Sequence, residues 1–139
     1  MSDVTFDSLN VGDAIPALTT APVSRATLAL FAGASGDHNP IHIDIDVAKA
    51  AGMQDVFAQG MLSMAYLGRM LTDWVPQASL RAFSNRFTAI TWLGDEITCT
   101  GTVAEKIEAD GERLVRLDVV AANQKGEVKL AGQALVALS

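Results

Sequence analysis

Residues 60–75 read GMLSMAYLGRMLTDWV, and on a helical axis this stretch places apolar side chains in nearly every direction. A helix that is apolar all round is typical of the middle of a fold, because a surface helix keeps one polar face. Its only charged residues, Arg69 and Asp73, are four positions apart and are expected to pair. Pro76 then ends the helix. The sequence therefore predicts one long helix, Gly60–Val75, that the rest of the chain covers.

The sequence after this helix alternates apolar and polar residues with the period of β-strands. The segments that show the pattern are EITCTGTVAEKI, RLVRLDVVAA and EVKLAGQALVAL. SLRAFSNRFTAI before them and DAIPALTT near the start add two more candidate strands. Asp110-Gly111 and Lys125-Gly126 are predicted turns between them. About five antiparallel strands are expected. A sheet with one apolar face buries a helix that is apolar all round by curling around it, so we predict an α+β fold with a curved sheet wrapped on a central helix.

Two shorter helices are predicted before the long one. Ser24 is a suitable N-cap for RATLALFAGASG, whose apolar residues recur near helical spacing until Gly36. A second helix is predicted over DVAKAAG, Asp46–Gly52, with the glycine closing it. The helices thus precede the main run of strands.

The composition limits the classes of protein that need to be considered. A chain of 139 residues, half of them hydrophobic, fits a single domain over residues 1–139 with a real core. The formal net charge of −6 argues against a nucleic-acid partner, since a phosphate backbone requires a basic surface. The same charge gives no attraction to a membrane surface.

The cysteine content and the apolar segments indicate the cellular compartment. The single cysteine, Cys99, cannot form an internal disulfide, which favours a reducing compartment. The first ten residues, MSDVTFDSLN, are acidic and contain no apolar run, so no signal peptide is expected. The most apolar stretch, Met61–Leu71, is too short to span a bilayer. We expect a cytoplasmic protein.

The segment SGDHNPIH, Ser35–His42, contains both histidines of the chain and admits three interpretations. The first is a metal site, for which the nearby candidate ligands are Asp37, His38, His42, Asp44 and Asp46. The i, i+4 spacing of the histidines suits a metal-binding helix, but Pro40 between them disrupts such a helix. The second is a polar turn in which Asp37 and Asn39 satisfy backbone donors.

The third interpretation is an acid/base pair. Asp37 and His42 are five positions apart, and a bent loop through Pro40 can bring them to the same side. Histidine exchanges protons near neutral pH, and a carboxylate beside it can hold a shared water molecule. Asn39 would orient the pair through its amide. Downstream, AQGMLS places Gly60 at the start of the buried helix, where N–H groups and a partial positive charge favour a developing oxyanion.

FAGASGDHNPIHIDIDVAKAAG followed by AQGMLSM resembles the MaoC-like dehydratase family, which includes (R)-specific enoyl-CoA hydratases and 3-hydroxyacyl-thioester dehydratases. The resemblance covers essentially the whole chain and implies the hot-dog fold, a curved antiparallel sheet around one long helix. It implies that Asp37 and His42 are catalytic and that Asn39 helps to fix the pair. It further implies that the Gly60 N–H polarises the thioester carbonyl and that Ser63 lies near the site.

Two departures from the family pattern are visible. Relatives often carry histidine directly before the glycine, where this chain has Gln59. Many relatives also have a proline near the end of the strand that contains RFTAI, and Ile90–Trp92 contain none. The first departure leaves the backbone donor intact, and the second affects the shape of a loop more than the chemistry.

The resemblance implies reversible hydration of a trans-2-enoyl-CoA to an (R)-3-hydroxyacyl-CoA, with no metal and no redox cofactor. An acyl-carrier-protein thioester is the alternative substrate, and a homodimer is expected. One alternative function is a subunit of a heteromeric hot-dog dehydratase, although supporting subunits generally lack the Asp–His pair. Another is a thioesterase, which would usually have a carboxylate on or near the long helix as a base. Here that helix carries only Asp73, far from its N-terminus.

Overall fold

The computed structural model describes residues 4–139, so the first three residues of the acidic N-terminal segment lie outside the described part. The helices are α1 (Arg25–Ser35), α2 (Ile45–Ala50) and α3 (Gly60–Trp74). The strands are β1 (Leu18–Thr19), β2 (Leu80–Phe87), β3 (Thr98–Ala109), β4 (Glu112–Ala122) and β5 (Val128–Ala137). Short 3-10 turns cover Pro40–His42 and Gln77–Ser79.

The five strands form one antiparallel sheet in the order β1-β3-β4-β5-β2. The predicted hairpin turn between β3 and β4 is confirmed, with Asp110 and Gly111 at φ angles of 52° and 77°. Gly126 lies in the next turn at φ 80°, a value that favours glycine. β2 is the last strand at one side of the sheet and pairs only with β5 among the described strands.

Helix α3 packs across the sheet and contacts β1, β3, β4 and β5. Its buried side chains Leu67, Met70, Leu71 and Trp74 join the inward-facing residues of the strands in one core. These strand residues are Cys99, Val103, Val115, Leu117, Val119, Ala121, Leu130, Ala134 and Val136. The predicted curved sheet on a central helix, the arrangement of the hot-dog fold, is therefore confirmed.

The prediction that α3 is buried on all sides is wrong for one face. Met61 is 55% exposed, and Ala65, Arg69 and Asp73 are also exposed along the same stripe. The expected pair on this face is present, with Arg69 Nε 3.8 Å from Asp73 Oδ2. An apolar side chain in a helix predicts burial, but the surface that covers it is set by tertiary structure. Within one chain the sheet covers only the other faces of α3.

A second, smaller core connects the helices near the polar segment SGDHNPIH. It contains Val23, Leu28, Ala48, Val56, Ala58 and Leu62. Leu28 belongs to α1, Ala48 to α2 and Leu62 to the first turn of α3, so this core fixes the three helices relative to one another. It packs the first turn of α1 against the first turn of α3.

The helix caps follow the sequence signals. Ser24 caps α1 by accepting a hydrogen bond from the Thr27 N–H, and Gly36 closes the helix at φ 78°. Helix α2 begins one residue before its predicted start and ends at Ala50, two residues before Gly52. Its actual N-cap is Asp44, which accepts from the Asp46 N–H at 2.9 Å.

One strand position differs from the prediction. Val128 is predicted on the buried face of β5, but it is the first residue of the strand and is 39% exposed. Within the described part of the chain, no helix combines the length and the apolar character needed to cross a bilayer.

Candidate active site

The segment after α1 is a tight polar turn. The left-handed Gly36 turns the chain, the Asp37 N–H donates to Ser35 Oγ at 3.1 Å, and the Asn39 N–H donates to Asp37 Oδ1 at 3.3 Å. Asn39 Oδ1 in turn accepts from the Ile41 N–H at 3.1 Å. Both side chains therefore satisfy backbone donors, as the turn interpretation expected. The side chain of Asn39 contacts the turn and not the carboxylate, so its influence on Asp37 comes through its backbone N–H.

Pro40 begins a short 3-10 turn that ends at His42, and this turn brings the imidazole back toward Asp37. His42 Nε2 lies 3.7 Å from Asp37 Oδ2. This separation is too long for a direct hydrogen bond, but both atoms can contact one small molecule placed between them. The side chain of His42 is 11% exposed and that of Asp37 is 43% exposed.

The second nitrogen of the imidazole is held by the backbone. His42 Nδ1 lies 2.8 Å from the carbonyl oxygen of Phe57. Because a carbonyl only accepts, Nδ1 must carry the hydrogen, and in the neutral ring Nε2 then has a free lone pair. The atom that faces Asp37 is therefore the one that can take a proton.

Two aromatic rings fix the plane of the imidazole. The Phe57 ring packs edge-on against His42 with centroids 5.1 Å apart, and the Trp92 ring packs against Phe57 at 5.8 Å. The backbones of Phe57 and Trp92 also form a β-bridge. No sequence signal marks the carbonyl of Phe57 as a partner of His42, since backbone carbonyls are alike at every position.

A groove of about 380 Å³ lies beside Phe57, the backbone partner of His42, and reaches the start of α3. Its lining residues are Phe57, Ala58, Gly60, Ser63, Phe87, Thr88, Ala89, Ile90, Thr91 and Leu130. Asp37 and His42 are not among them, and Phe57 connects the groove to the imidazole. Most of the lining is apolar, with hydroxyl groups from Ser63, Thr88 and Thr91.

Gly60 is the first residue of α3 and lies in the groove. The first N–H groups of a helix have no acceptor within the helix, so they can bind a negatively charged oxygen. A Cβ at this position would lie 3.1 Å from the ring of Phe87, closer than ordinary contact. Glycine therefore keeps the backbone of this first turn accessible beside the ring.

Ser63, in the first turn of α3, is buried and shares a hydrogen bond with Thr91, with their hydroxyl oxygens 3.0 Å apart. Gln59, the residue before Gly60, is only 1% exposed. Its Nε2 donates to the carbonyl oxygen of Leu28 at 3.1 Å. Gln59 thus ties the start of α3 to α1, the helix that leads into Asp37.

The remaining candidate ligands of the metal interpretation are dispersed. His38 is exposed, and Asp44 is engaged as the cap of α2. Among residues 4–139, no group of three or more His, Cys, Asp and Glu side chains is arranged to hold a metal ion.

A larger depression of about 600 Å³ lies on the outside of the sheet between β2, β4 and β5, away from the histidine. The smaller groove is the better site candidate because it combines the Gly60 backbone with the support of His42.

Known proteins share this sequence and this fold. The family model described as MaoC like domain matches residues 9–125. The chain is 32% identical over 100 residues to an (R)-specific enoyl-CoA hydratase of Rhodospirillum rubrum, covering 70% of this chain and 68% of that protein. It superposes on R-Hydratase PhaJ1 from Pseudomonas aeruginosa with a TM-score of 0.80 and 30% identity, covering 98% of this chain and 86% of that one.

The chain has the hot-dog fold of these hydratases. It belongs to the MaoC-like dehydratase family. It is also 28% identical over 95 residues to a 3-oxo-4,17-pregnadiene-20-carboxyl-CoA hydratase beta subunit of Mycobacterium tuberculosis, covering 68% of this chain and 70% of that one. One further relative is far longer: the chain is 30% identical over 125 residues to fatty acid synthase 2 of Mycosarcoma maydis, matching 84% of this chain but 3% of that protein.

Proposed function

We propose that this protein catalyses the reversible addition of water to a trans-2-enoyl-CoA, giving an (R)-3-hydroxyacyl-CoA. The observation that supports this most directly is the arrangement of His42. Its Nδ1 is bonded to the Phe57 carbonyl, and its Nε2 faces the Asp37 carboxylate at 3.7 Å. The similarity to hydratases that act on enoyl-CoA thioesters gives the reaction class.

In the proposed reaction, Asp37 and His42 hold one water molecule between them. The pair takes a proton from this water as its oxygen bonds to C3 of the enoyl group. A proton is delivered to C2 on the same face, so one water supplies both new groups and the pair returns to its starting state. General acid–base catalysis of this kind contributes roughly 100- to 10,000-fold. No metal or redox cofactor takes part in these steps.

Charge that develops on the thioester oxygen requires a donor. We assign this role to the Gly60 N–H, because Gly60 begins α3 and the helix dipole would add to the effect. A single donor of this type is worth about 3 kcal/mol of transition-state stabilisation. The buried hydroxyl pair of Ser63 and Thr91 lies on the same groove and supports its polar end.

The acyl chain would lie in the apolar part of the groove, which Phe87, Ala89, Ile90 and Leu130 line. A CoA carrier is proposed in line with the enoyl-CoA hydratase among the relatives, and an acyl-carrier-protein thioester stays the alternative substrate. We also propose that the protein is cytoplasmic. Its single cysteine, Cys99, is free and buried, which suits a reducing compartment.

We further propose that the protein is a homodimer. β2 lies at the side of the sheet with only one partner strand, and exposed strand edges are usually paired. Met61 and Phe87 are exposed and add apolar surface, and the Phe87 ring lies beside Gly60, the residue before Met61. A second candidate is a subunit of a heteromeric hydratase, which the similarity to a named beta subunit favours.

A thioesterase is less compatible with the geometry. The only carboxylate on α3, Asp73, lies near the end of the helix opposite to Gly60. Its side chain is 60% exposed and pairs with Arg69. It is therefore poorly placed to activate water in the groove.

The test is to incubate the purified protein alone with crotonyl-CoA and to analyse the products by chiral chromatography. The proposal predicts (R)-3-hydroxybutyryl-CoA. Release of free CoA would instead indicate a thioesterase. Activity only after addition of a second hot-dog chain would indicate the heteromeric subunit, and no reaction with enoyl thioesters of any chain length would contradict the proposal.

A further inference from the structure

Lys129 is a fully buried lysine that the proposed chemistry does not use. It lies in β5, with 0% of its surface exposed. Its Nζ donates a hydrogen bond to the carbonyl oxygen of Ile90 at 2.7 Å and lies 3.2 Å from Asp95 Oδ2. It also donates to the carboxylate of Glu127. A buried ammonium is unfavourable unless its hydrogens are satisfied. Here the three N–H groups of the ammonium face three acceptors, namely one backbone carbonyl and two carboxylates.

These acceptors lie on or beside one loop, residues 88–97, which connects β2 to β3 and which we call the wall loop. Ile90 and Thr91 of this loop line the groove. The loop is also fixed to β5 where it begins, because the Thr88 N–H donates to the Lys129 carbonyl oxygen at 2.9 Å. Lys129 therefore binds the wall loop through both its backbone and its side chain.

Asp95 extends this attachment to the far end of the loop. One of its oxygens accepts from the Trp92 N–H at 2.8 Å, and the other accepts from Asn123 Nδ2 at 3.1 Å. The side chain of Asp95 is only 12% exposed. The ammonium of Lys129 thus lies at the centre of a buried polar cluster under the loop.

The other side of the wall loop contacts the candidate active site. The Thr91 carbonyl oxygen accepts from the Ala58 N–H at 2.9 Å, and the Thr91 hydroxyl bonds Ser63. Trp92 packs on Phe57, whose carbonyl oxygen holds His42 Nδ1. A continuous set of contacts therefore runs from Lys129 through the wall loop to the imidazole and to the start of α3.

We propose that Lys129 is a positioning residue of the active site: its ammonium sets the position of the wall loop, and through it the Phe57 carbonyl and the groove. This inference rests on the proposed hydratase function. A neutral side chain of similar length can fill the same space, so the core can fold without the ammonium. The wall loop would then lose its attachment at Ile90 and shift relative to His42.

The test uses Lys129→Met together with Asp95→Asn, so that no buried carboxylate is left facing an apolar side chain. Lys106→Met is the matched control. Lys106 is a part-buried lysine on β3 whose Nζ donates to the Leu9 carbonyl oxygen at 2.8 Å and lies 4.3 Å from the centre of the Phe6 ring. It lies toward the other end of the sheet, away from the groove.

The first readout is independent of activity. Because the Ala58 N–H donates to Thr91, its hydrogen exchange reports the position of the wall loop. We expect the Ala58 amide to exchange at least about 10-fold faster in the double variant than in wild type and in Lys106→Met. Unchanged exchange at Ala58 in the folded double variant would overturn the inference.

The second readout is kinetic and is measured well below the unfolding temperature of each variant. We expect kcat to fall by about 10- to 100-fold in the double variant, the scale that a displacement of about 1 Å produces, and to stay unchanged in Lys106→Met. Equal kcat in all three proteins would also contradict the inference. If wild type hydrates no enoyl thioester, the proposed function fails, and the Ala58 exchange alone decides the role of Lys129.

If the double variant does not fold, Lys129→Arg decides the question. This variant keeps the charge but changes the geometry of its donors. We expect it to fold and to show faster Ala58 exchange with reduced kcat. Wild-type Ala58 exchange together with a wild-type kcat in Lys129→Arg would overturn the inference.

Discussion

The carbonyl oxygen of Phe57 holds Nδ1 of His42 at 2.8 Å, although the two residues are 15 positions apart in the chain. This contact determines which nitrogen of the ring carries the hydrogen. Asp37 lies on the opposite side of the ring, with its carboxylate facing Nε2. The proton-accepting atom of the proposed pair is thus set by a backbone group on another segment.

The first prediction concerns this tautomer. In the neutral form of His42, the hydrogen should be on Nδ1, because the Phe57 carbonyl can only accept. Nitrogen-15 chemical shifts of the two ring nitrogens measure this directly. His38 is an internal control, since it is exposed and should show a mixture of tautomers. A neutral His42 with its hydrogen on Nε2 would contradict the assignment.

The second prediction concerns the packing of β5 against β2. A Cβ at Gly132 would lie 2.0 Å from the Ser84 carbonyl oxygen and 2.6 Å from the Cα of Asn85, so the backbone of β2 would have to move. We expect Gly132→Ala to lower the free energy of unfolding by at least about 3 kcal/mol, the upper range for overpacking. Urea denaturation followed by circular dichroism measures the change.

Gly33→Ala is the matched control for this substitution. Gly33 lies inside α1 with nothing within 4 Å of a Cβ. Alanine there should raise the free energy of unfolding by about 0.5–1 kcal/mol, because it restricts the unfolded chain. Equal effects of the two substitutions would show that the close approach of β5 and β2 is not present in solution.

The third prediction concerns the acid dependence of stability. Burial alone would raise the pKa of Asp95, but hydrogen bonds from the Trp92 N–H, Asn123 and Lys129 outweigh it and hold the pKa below its ordinary value of 3.8. A carboxyl group with a lowered pKa in the folded state stabilises the protein above its unfolded pKa. This contribution is lost as the pH falls through the folded pKa.

Asp95→Asn removes this titration. The free energy of unfolding of wild type should therefore fall more steeply than that of Asp95→Asn on acidification below about pH 4. Urea unfolding curves at several acidic pH values measure both slopes. Identical slopes in the two proteins would mean that the folded environment does not favour the charged form of Asp95.

The elements that were predicted correctly depend on local chemistry. Ser24 and Gly36 mark the ends of α1 because capping and left-handed backbone are properties of a few neighbouring residues. The Asp110-Gly111 turn follows from the same kind of signal. The strands of the sheet followed from alternation alone, since every inward-facing residue meets the same core.

The features that the sequence did not predict depend on distant segments. Lys129 precedes the buried Leu130 in an alternating strand, a pattern that by itself favours a solvent-facing lysine, but Lys129 is fully buried and its ammonium bonds the wall loop. Met61 is part of a helix that is predicted to be buried, but no strand within residues 4–139 covers that face. Within the candidate site, the motif predicted Asp37, His42 and Gly60 as neighbours. The support from the Phe57 carbonyl depends on a tertiary contact with no sequence signal.

Asp37 and His42 are proposed to act together as the acid/base pair of a hydratase. Their atoms Oδ2 and Nε2 are 3.7 Å apart, and neither side chain belongs to the core. Asp37→Asn and His42→Ala should therefore fold normally, which circular dichroism and thermal unfolding check. His38→Ala is the matched control, because His38 is the other histidine of the chain and is exposed.

The most direct measurement is the rate of hydration of crotonyl-CoA by wild type and these three variants. We predict that Asp37→Asn and His42→Ala each lose at least about 100-fold in kcat, the lower scale of general acid–base catalysis, while His38→Ala retains the wild-type rate. Near wild-type turnover by folded Asp37→Asn or folded His42→Ala would contradict the account.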